Sequence, residues 1–396
     1  MKSTLLVLAG LTLVVGIGWA AVSSAQQGVL EQAVALHRET PLIDGHNDIP
    51  WKFREKANRD LSKMDLRQRQ PELHTDIPRL RQGGVGGEFW SVYVPVTMQG
   101  SEAVRATMEQ IDFVYQMMDR YPDTFELART AADVERVFKA GKIASLIGME
   151  GGHSIDNSLA TLRMFYKLGA RYMTLTHSSN TAWADSATDQ PKSGGLTPFG
   201  EGVVREMNWL GMMVDLSHVS PDTMSDALQV TQAPVIFSHS SARAVIDHPR
   251  NVPDIILAKI PANGGVVMVN FVPGFISEEV REYEALPQNQ RQNQPAPRAS
   301  MAQVADHIDH IRKVAGINSI GLGSDFDGIA TVPQNLEDVS KFPVLTAELL
   351  RRGYTKDDLR KILGQNVLRV MRQVEQVAAR LQKERPASTM VFAGPN

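Results

Sequence analysis

The chain has 396 residues, of which 43% are hydrophobic, and this is enough for the core of one large barrel-sized domain. Its 41 basic and 44 acidic residues give a net charge of −3, and no long basic run is present, so nucleic acid is excluded as an expected partner. There is no cysteine, which excludes disulfide bonds and thiolate ligands. Any metal site must therefore use His, Asp and Glu.

The first 25 residues have the pattern of a signal peptide. Lys2 precedes an almost wholly apolar stretch at 5–21, and Ser23-Ser24-Ala25 supplies small residues at a cleavage site. We expect the mature chain to begin near Gln26 and to be exported, either to a periplasm or to the outside of the cell. The alternative is an uncleaved N-terminal anchor, because about 17 apolar residues can just span a bilayer.

Eight apolar runs predict β-strands, and helical patterns lie between most of them. In chain order these runs are 42–48, 87–94, 142–149, 171–176, 212–217, 234–238, 265–271 and 319–324. Eight alternating β-α units predict a (β/α)8 TIM-like barrel of the α/β class over residues 26–385.

The intervening segments carry weaker signals. Apolar periodicity and capping residues predict helices at 31–38, 101–121, 131–140, 157–168, 198–210 and 301–314, and two or three more within 341–384. Residues 52–82 read as a polar loop. We expect a mobile insertion at 277–300, which is charged and rich in Gln and Pro, and a disordered tail at 386–396.

Six of the eight strand candidates end at ionisable residues that can bind metal. The residues concerned are His46 and Asp48, then Glu150, His177, His218, His239 and Asp325. The carboxyl ends of barrel strands lie on one face, where the active sites of such barrels are found. The side chains of His46 and Asp48, two positions apart, can point to the same side.

Each of these residues has a less specific interpretation. Asp48 could simply cap a helix, and Glu150 could be another capping acid. His177 could be a third imidazole ligand or a free donor beside a metal. Asp325 could be a ligand, a proton carrier or both. Because the set exceeds the four ligands of one zinc, it favours two metals about 3.5–4 Å apart with a bridging acid. Such a centre is typical of hydrolases.

Several longer motifs resemble the membrane (renal) dipeptidase family of dinuclear zinc peptidases. They include LIDGHNDIPW at 42–51, GMEGGHSI at 148–155, DLSHVS at 215–220, HSSARAVIDHPRNVPD at 239–254 and GLGSDFDGI at 321–329. The resemblance extends from about residue 30 to about residue 380, which is nearly the whole mature chain.

The resemblance implies a zinc-dependent dipeptidase with two Zn²⁺ ions per chain, which cleaves dipeptides with a hydroxide held between the metals. By this resemblance His46 and Asp48 bind one zinc, Glu150 bridges, and His218 and His239 bind the other. His177 contacts the substrate carbonyl, Arg250 holds the substrate carboxylate, and Asp325 is the acid–base residue. We also expect a homodimer.

Two departures from the animal members of the family concern location and substrate preference. Those members carry cysteines and a lipid-anchor signal that this chain lacks, which favours a bacterial exported form. Where they have an aromatic hydroxyl near the end of the seventh strand, this chain has Phe271 to Phe275. An amidohydrolase-type barrel that opens a cyclic amide, lactone or β-lactam is the alternative enzyme. A non-catalytic protein that keeps the fold is the alternative outside enzymes.

Overall fold

The computed structural model describes residues 27–292 and 294–394, so the predicted signal peptide lies outside the described residues. Its strands are β1 (Leu42–Asn47), β2 (Val85–Ser91), β3 (Phe125–Leu127), β4 (Ile143–Glu150), β5 (Ala170–Thr174), β6 (Met213–Asp215), β7 (Ile236–Phe237), β8 (Val266–Val269) and β9 (Ile320–Leu322). All pairings between these strands are parallel.

Eight of these strands close into a barrel. The sheet order is β2-β1-β9-β8-β7-β6-β5-β4-β3, and an additional β2–β4 pairing joins the two sides. Strand β3 is not one of the eight predicted runs. Its residues pair only with the start of β4, on the edge of β4 that pairs with β5 further along. The predicted (β/α)8 barrel and its eight strands are therefore confirmed.

The helices surround the barrel. They are α1 (27–39), α2 (Ile49–Ala57), α3 (Ile77–Gly83), α4 (Gly100–Arg120), α5 (Ala131–Lys139), α6 (Leu159–Lys167), α7 (Pro198–Leu210), α8 (Pro221–Val230), α9 (Asp254–Leu257), α10 (Ile260–Asn263), α11 (Pro273–Ile276), α12 (Glu278–Ala285), α13 (Gln288–Arg291), α14 (Met301–Ala315), α15 (Phe342–Arg351), α16 (Lys356–Arg360) and α17 (Asn366–Glu384). No helix among the described residues combines the length and the apolar character that crossing a bilayer requires.

Local sequence signals explain several helix ends. Ser220 accepts a hydrogen bond from the backbone N–H of Thr223, and Pro221 occupies the first turn of α8. Ser300 and Gln303 form a reciprocal capping box at the start of α14. Gly211 ends α7 with φ at +86°, a backbone conformation that glycine adopts without strain.

One predicted loop is shorter than expected, while the mobility of 277–300 and the disorder of 386–396 stay predictions. The prediction of a loop over 52–82 is wrong at both ends, because α2 extends to Ala57 and α3 begins at Ile77. The 277–300 segment contains α12 and α13 as well as irregular chain. Residues 386–394 have no helix or strand, but Ser388 hydrogen-bonds Glu206 and Phe392 packs edge-on against Phe199.

Candidate metal centre and substrate cleft

The barrel brings all seven predicted strand-end residues to one place. His46 is in β1 and Glu150 ends β4, while His177, His218, His239 and Asp325 follow β5, β6, β7 and β9 within a few residues. They form three overlapping groups in which the possible ligand atoms lie within 4.8 Å of one another. The groups are His46–Glu150–His239, Glu150–His177–His218 and His46–Asp48–Asp325.

Glu150 lies at the centre of this cluster. Its Oε2 is 3.5 Å from Nε2 of His46. Its Oε1 is 3.0 Å from Nε2 of His218, 3.5 Å from that of His239 and 3.6 Å from that of His177. The two carboxylate oxygens thus face different sets of imidazoles, which is the geometry that a bridging ligand needs.

Asp48 does not act as a helix cap, although it occupies the cap position of α2. Its side chain makes no capping hydrogen bond. Instead its Oδ2 lies 3.3 Å from Nε2 of His46. Both Oδ1 of Asp48 and Nε2 of His46 are buried and have no hydrogen-bond partner among the described residues. Buried polar atoms without partners are costly, so their convergence indicates a bound cation.

Two of the cluster residues have strained backbones. His218 and Asp325 have φ values of +69° and +65°, in the left-handed region that favours glycine. Such conformations are commonly maintained at functional sites because the side chain must point in one direction. Gly328 also makes room for the cluster. A Cβ atom at that position would lie 2.3 Å from Oδ2 of Asp48 and 2.4 Å from Oδ1 of Asp325.

The electrostatics of the cluster favour a positive ion. Burial opposes ionisation of Glu150, but the neighbouring imidazoles of His46 and His177 outweigh it and hold the pKa of this carboxyl well below its usual value. Burial lowers the pKa of His46, whereas Tyr172, Asp48 and Glu150 raise it, and the resulting pKa lies well above the usual value. A position that holds a proton so firmly also suits a metal ion.

His218 and His239 are neutral and can therefore act as ligands. Burial is the main cause that lowers the pKa of both imidazoles well below its usual value. The charge of Arg250 lowers the pKa of His218 further, and His46 has the same effect on His239. A neutral imidazole offers the lone pair that binds metal, and imidazole with carboxylate is a donor set for divalent transition metals. The residues present fit a metal centre.

Asp325 and Arg250 lie at the edge of the cluster. Burial, together with the negative charges of Asp48 and Glu150, raises the pKa of Asp325 well above its usual value, although His46 opposes this. Arg250 is 3% exposed, and burial lowers its pKa to about 10, so that it remains a cation at neutral pH. Its Nε and Nη1 atoms have no hydrogen-bond partner among the described residues.

A cleft of about 290 Å³ opens above these side chains. Besides Asp48, Glu150, His177, His218, Arg250 and Asp325, it is lined by Trp51, Lys52, Glu55, Tyr93, Phe275, Asp327 and Gly328. Apart from Phe275, which lies in the segment that departs from the animal members, these additional residues have no role that the sequence predicts. Several of them follow a strand end within a few residues, but they lack the recurring position directly after an apolar run that singles out the metal-binding candidates.

Tyr93 and Phe275 are aromatic residues of the cleft that lie beside His177 and Arg250, respectively. The ring of Tyr93 lies 5.0 Å from that of His177. The guanidinium of Arg250 lies 5.4 Å from the ring of Phe275, which also stacks on His248 at 4.3 Å. These aromatic contacts limit the orientations available to His177 and Arg250.

Fold and cluster together define a class of protein, namely the metal-dependent hydrolases built on a (β/α)8 barrel. Within that class the chain belongs to the membrane dipeptidase family, peptidase family M19, whose pattern matches residues 30–385. It is 44% identical to Dipeptidase verJ of Clonostachys rogersoniana over 365 residues, which are 89% of each chain. It is 47% identical to Dipeptidase 3 of Mus musculus over 352 residues, which are 88% of this chain and 67% of the mouse protein.

Solved structures agree with this assignment. A metallopeptidase from Rhodobacter sphaeroides, liganded with a phosphinate mimic of the dipeptide L-Ala-D-Ala, has a TM-score of 0.74 and 27% identity, with 85% of this chain and 99% of that chain covered. The probable dipeptidase PvdM from Pseudomonas aeruginosa has a TM-score of 0.78 at 24% identity, covering 89% of this chain and all of that one, and supports the fold. The protein is a metal-dependent dipeptidase that acts on small peptide substrates.

Proposed function

We propose that the centre holds two Zn²⁺ ions, one bound by His46 and Asp48 and the other by His218 and His239, with Glu150 as the bridge. The observation that supports this most directly is that Glu150 belongs to two of the three ligand groups. One of its oxygens faces His46, and the other faces His218 and His239. A single ion would leave one of these sets without a cation.

Bound zinc would lower the pKa of water and polarise a peptide carbonyl. The chain's own residues supply the remaining steps. His177, which faces the cleft beside Glu150, donates a hydrogen bond to the carbonyl oxygen as that oxygen becomes negative. Asp325 takes a proton from the attacking water and gives it to the leaving amine. Burial raises its pKa well above the usual value, and a carboxyl that accepts a proton more readily than usual suits a proton carrier.

Arg250 sets the size of the substrate in this proposal. Its buried guanidinium lines the cleft and has two nitrogens without partners among the described residues. A planar guanidinium binds a carboxylate through two parallel hydrogen bonds. We assign it the C-terminal carboxylate of a dipeptide. Because the Rhodobacter sphaeroides relative is liganded with a mimic of L-Ala-D-Ala, we include dipeptides with a D-residue in the second position among the substrates.

Metal analysis combined with a substrate panel tests the proposal. Fully active enzyme should contain two zinc ions per chain and hydrolyse free-acid dipeptides, including those with a D-residue second. Tripeptides and cyclic amides should be poor substrates. One metal or less per chain at full activity would contradict the two-ion centre, and equal hydrolysis of a β-lactam or lactone would contradict the dipeptide assignment.

We further propose export of the mature chain, on the basis of the apolar stretch at 5–21 and the Ser23-Ser24-Ala25 site. Mass spectrometry of secreted or periplasmic material should find a start near Gln26. Recovery of the intact N-terminus from membranes would favour the anchor. Light scattering of the same material tests the expected homodimer.

A further inference from the structure

The three imidazoles proposed as zinc ligands differ at the ring nitrogen that faces away from the cluster. Nδ1 of His46 lies 2.9 Å from the hydroxyl of Tyr172. Nδ1 of His239 lies 2.9 Å from Oγ of Ser238. Nδ1 of His218 has no hydrogen-bond partner among the described residues. If each Nε2 binds metal, each Nδ1 carries the proton, and only two of the three protons have a protein acceptor here.

The acceptor for His239 is itself tied to a buried carboxylate. The hydroxyl of Ser238 donates to Oδ2 of Asp215 at 2.6 Å. Thr174 donates to the same oxygen at 2.5 Å. Oδ1 of Asp215 accepts from the backbone N–H of Ser217 at 3.1 Å and from that of Ser238 at 2.8 Å. Because four donors are directed at the two oxygens of Asp215, the Ser238 proton points toward this carboxylate and the lone pairs of the Ser238 hydroxyl face His239.

We propose that Ser238 and Asp215 are positioning residues that hold His239 with Nε2 toward the second metal. The path runs from the His239 Nδ1–H to Ser238 Oγ, and from the Ser238 hydroxyl to the Asp215 carboxylate. Such partners fix the tautomer of a ligating histidine and make it a stronger donor to the metal. The inference rests on the proposed role of His239 as a zinc ligand.

A comparison within the barrel separates the positioning of His239 from the joining of neighbouring strands by hydrogen bonds. Asp44 and Ser324 form the same kind of pair between β1 and the end of β9, with Ser324 Oγ 2.5 Å from Oδ2 of Asp44 and its backbone N–H 2.7 Å from Oδ1. Yet Ser324 reaches only the backbone oxygen of His46, at 3.4 Å. A buried Asp–Ser pair can therefore join strand ends without touching an imidazole ring. The ring contact of Ser238 needs a separate explanation.

Metal binding to the full mature chain provides the test. Metal-free protein is titrated with Zn²⁺ in competition with a chromophoric chelator, which should resolve two binding steps. Ser238→Ala is expected to weaken one step by about 10- to 100-fold, as is typical when the partner of a ligating histidine is lost, and to leave the other unchanged. The absorption spectrum of the Co²⁺-substituted variant should also change, because the ligand field at that metal is altered.

Controls distinguish the positioning role from a general loss of stability. Ser145→Ala removes a buried hydroxyl that accepts from Trp90 and should leave both steps and the Co²⁺ spectrum unchanged. Asp215→Asn should weaken the same step as Ser238→Ala, and the double variant should lose little more than either alone, because the two residues act in one path. Ser238→Thr keeps the hydroxyl and should restore binding.

The possible failures have different signatures. If His239→Ala loses one step while both Ser238→Ala and Asp215→Asn bind zinc like the wild type with unchanged Co²⁺ spectra, the positioning role is overturned and the two-zinc centre stands. If His239→Ala retains both steps, His239 is not a ligand and the proposed centre itself is wrong. If Ser238→Ala does not fold, Asp215→Asn and Ser238→Thr decide by the same two measurements.

Discussion

The Nε2 atoms of His218 and His239 lie 2.9 Å apart. Both imidazoles are buried, and burial holds the pKa of each well below its usual value, so neither carries a charge. Two neutral rings in this arrangement can share only one proton, yet both also face Oε1 of Glu150, at 3.0 and 3.5 Å. A cation among these three atoms would accept a lone pair from each. The arrangement is that of a metal site.

Replacing Glu150 should affect both metals. Glu150→Gln keeps the shape of the side chain but removes the charge and half of its acceptor capacity. We expect both zinc-binding steps to weaken in a chelator competition, each by more than the roughly 10- to 100-fold typical of changes outside the ligand set. Glu55→Gln, at the partly exposed rim of the same cleft, is the matched control and should bind zinc normally. An effect on one step alone would mean that Glu150 does not bridge.

Replacing Asp325 should slow catalysis without removing metal. Asp325→Asn keeps the size of the side chain but cannot carry a proton between water and the leaving amine. We expect kcat to fall by about 100-fold or more, which is within the usual range for general acid–base catalysis. Zinc content measured on the same sample should stay at the wild-type value. Near-normal kcat with full zinc would rule out the proton-carrying role.

Adding one methyl group at Gly328 should disturb the first metal. The new Cβ would overlap Oδ2 of Asp48 and Oδ1 of Asp325, at 2.3 and 2.4 Å. Because the position is exposed, Gly328→Ala should fold normally while losing zinc affinity and kcat. Thermal unfolding, chelator competition and turnover measure the three quantities. Gly28→Ala, where an added Cβ meets no atom within 4 Å, is the control. Unchanged zinc affinity would show that the two carboxylates can move apart without consequence.

The sequence predicts the eight barrel strands because each is a short apolar run, and six of the eight runs end at an ionisable residue. It does not predict β3, whose three residues Phe125–Leu127 are too few to show a pattern. It also does not predict α2, because Lys and Arg alternate with its four buried residues and conceal the apolar face. In both cases the pairing or packing that stabilises the element comes from a distant part of the chain.

For the site, the sequence indicates which side chains could meet but not which atoms face each other. The position of His46, Glu150 and His239 at strand ends is visible as a pattern. The contact of Ser238 with both a ring nitrogen and Asp215 is not, because it depends on side-chain orientation across neighbouring strands. The cleft walls are hidden for the same reason. Trp51 belongs to a helix that no periodicity predicts. Phe275 lies in α11 and approaches Arg250 only because of the path taken by the loop that carries Arg250.

A histidine far from the site should make stability depend on pH. His37 is 2% exposed, with its ring nitrogens 2.9 Å from the carbonyl oxygen of Gly83 and 2.8 Å from Oγ1 of Thr346. Burial lowers its pKa from 6.5 to about 4, although the Gly83 contact opposes the shift. Between these values the unfolded chain binds a proton that the folded chain does not. Its contribution to stability is therefore complete above pH 6.5 and is lost as the pH falls toward 4.

The measurement is the free energy of unfolding in urea for zinc-loaded wild type and His37→Gln. As the pH falls from 6.5 to about 4, the free energy of unfolding of the wild type should decrease by up to about 1.4 kcal/mol more per pH unit than that of the variant. The reason is that one additional proton is taken up on unfolding. The variant should be less stable at neutral pH, and the difference between the two proteins should narrow on acidification. Parallel curves for the two proteins would show that His37 is protonated equally in both states.

Arg250 should decide which peptides are cleaved. It lies in the loop between β7 and α9, its Nη2 donates to the carbonyl oxygen of His239 at 3.4 Å, and Phe275 covers one face of the guanidinium. Nε and Nη1 have no partner among the described residues, and Nη2 has a second N–H, so a carboxylate can bind Nη2 together with either Nε or Nη1. Lysine offers a single charged nitrogen and cannot reproduce this planar pair of donors. Arg250→Lys should therefore reduce kcat/KM for free-acid dipeptides strongly and leave zinc content unchanged.

A dipeptide amidated at its C-terminus separates this role from a general effect of the substitution. It lacks the charge that Arg250 would bind, so it should be a poor substrate for the wild type and should lose little more with Arg250→Lys. Amidation of the substrate and Arg250→Lys together form a double-change cycle. The loss in kcat/KM from either change alone should nearly equal the loss from both changes together. Lys52→Arg, at another cation that lines the cleft, is the control for altering a cation near the site and should leave the preference for free acids intact. If Arg250→Lys and wild type hydrolyse free-acid dipeptides equally well, the carboxylate is bound elsewhere and another cation of the cleft must set the substrate length.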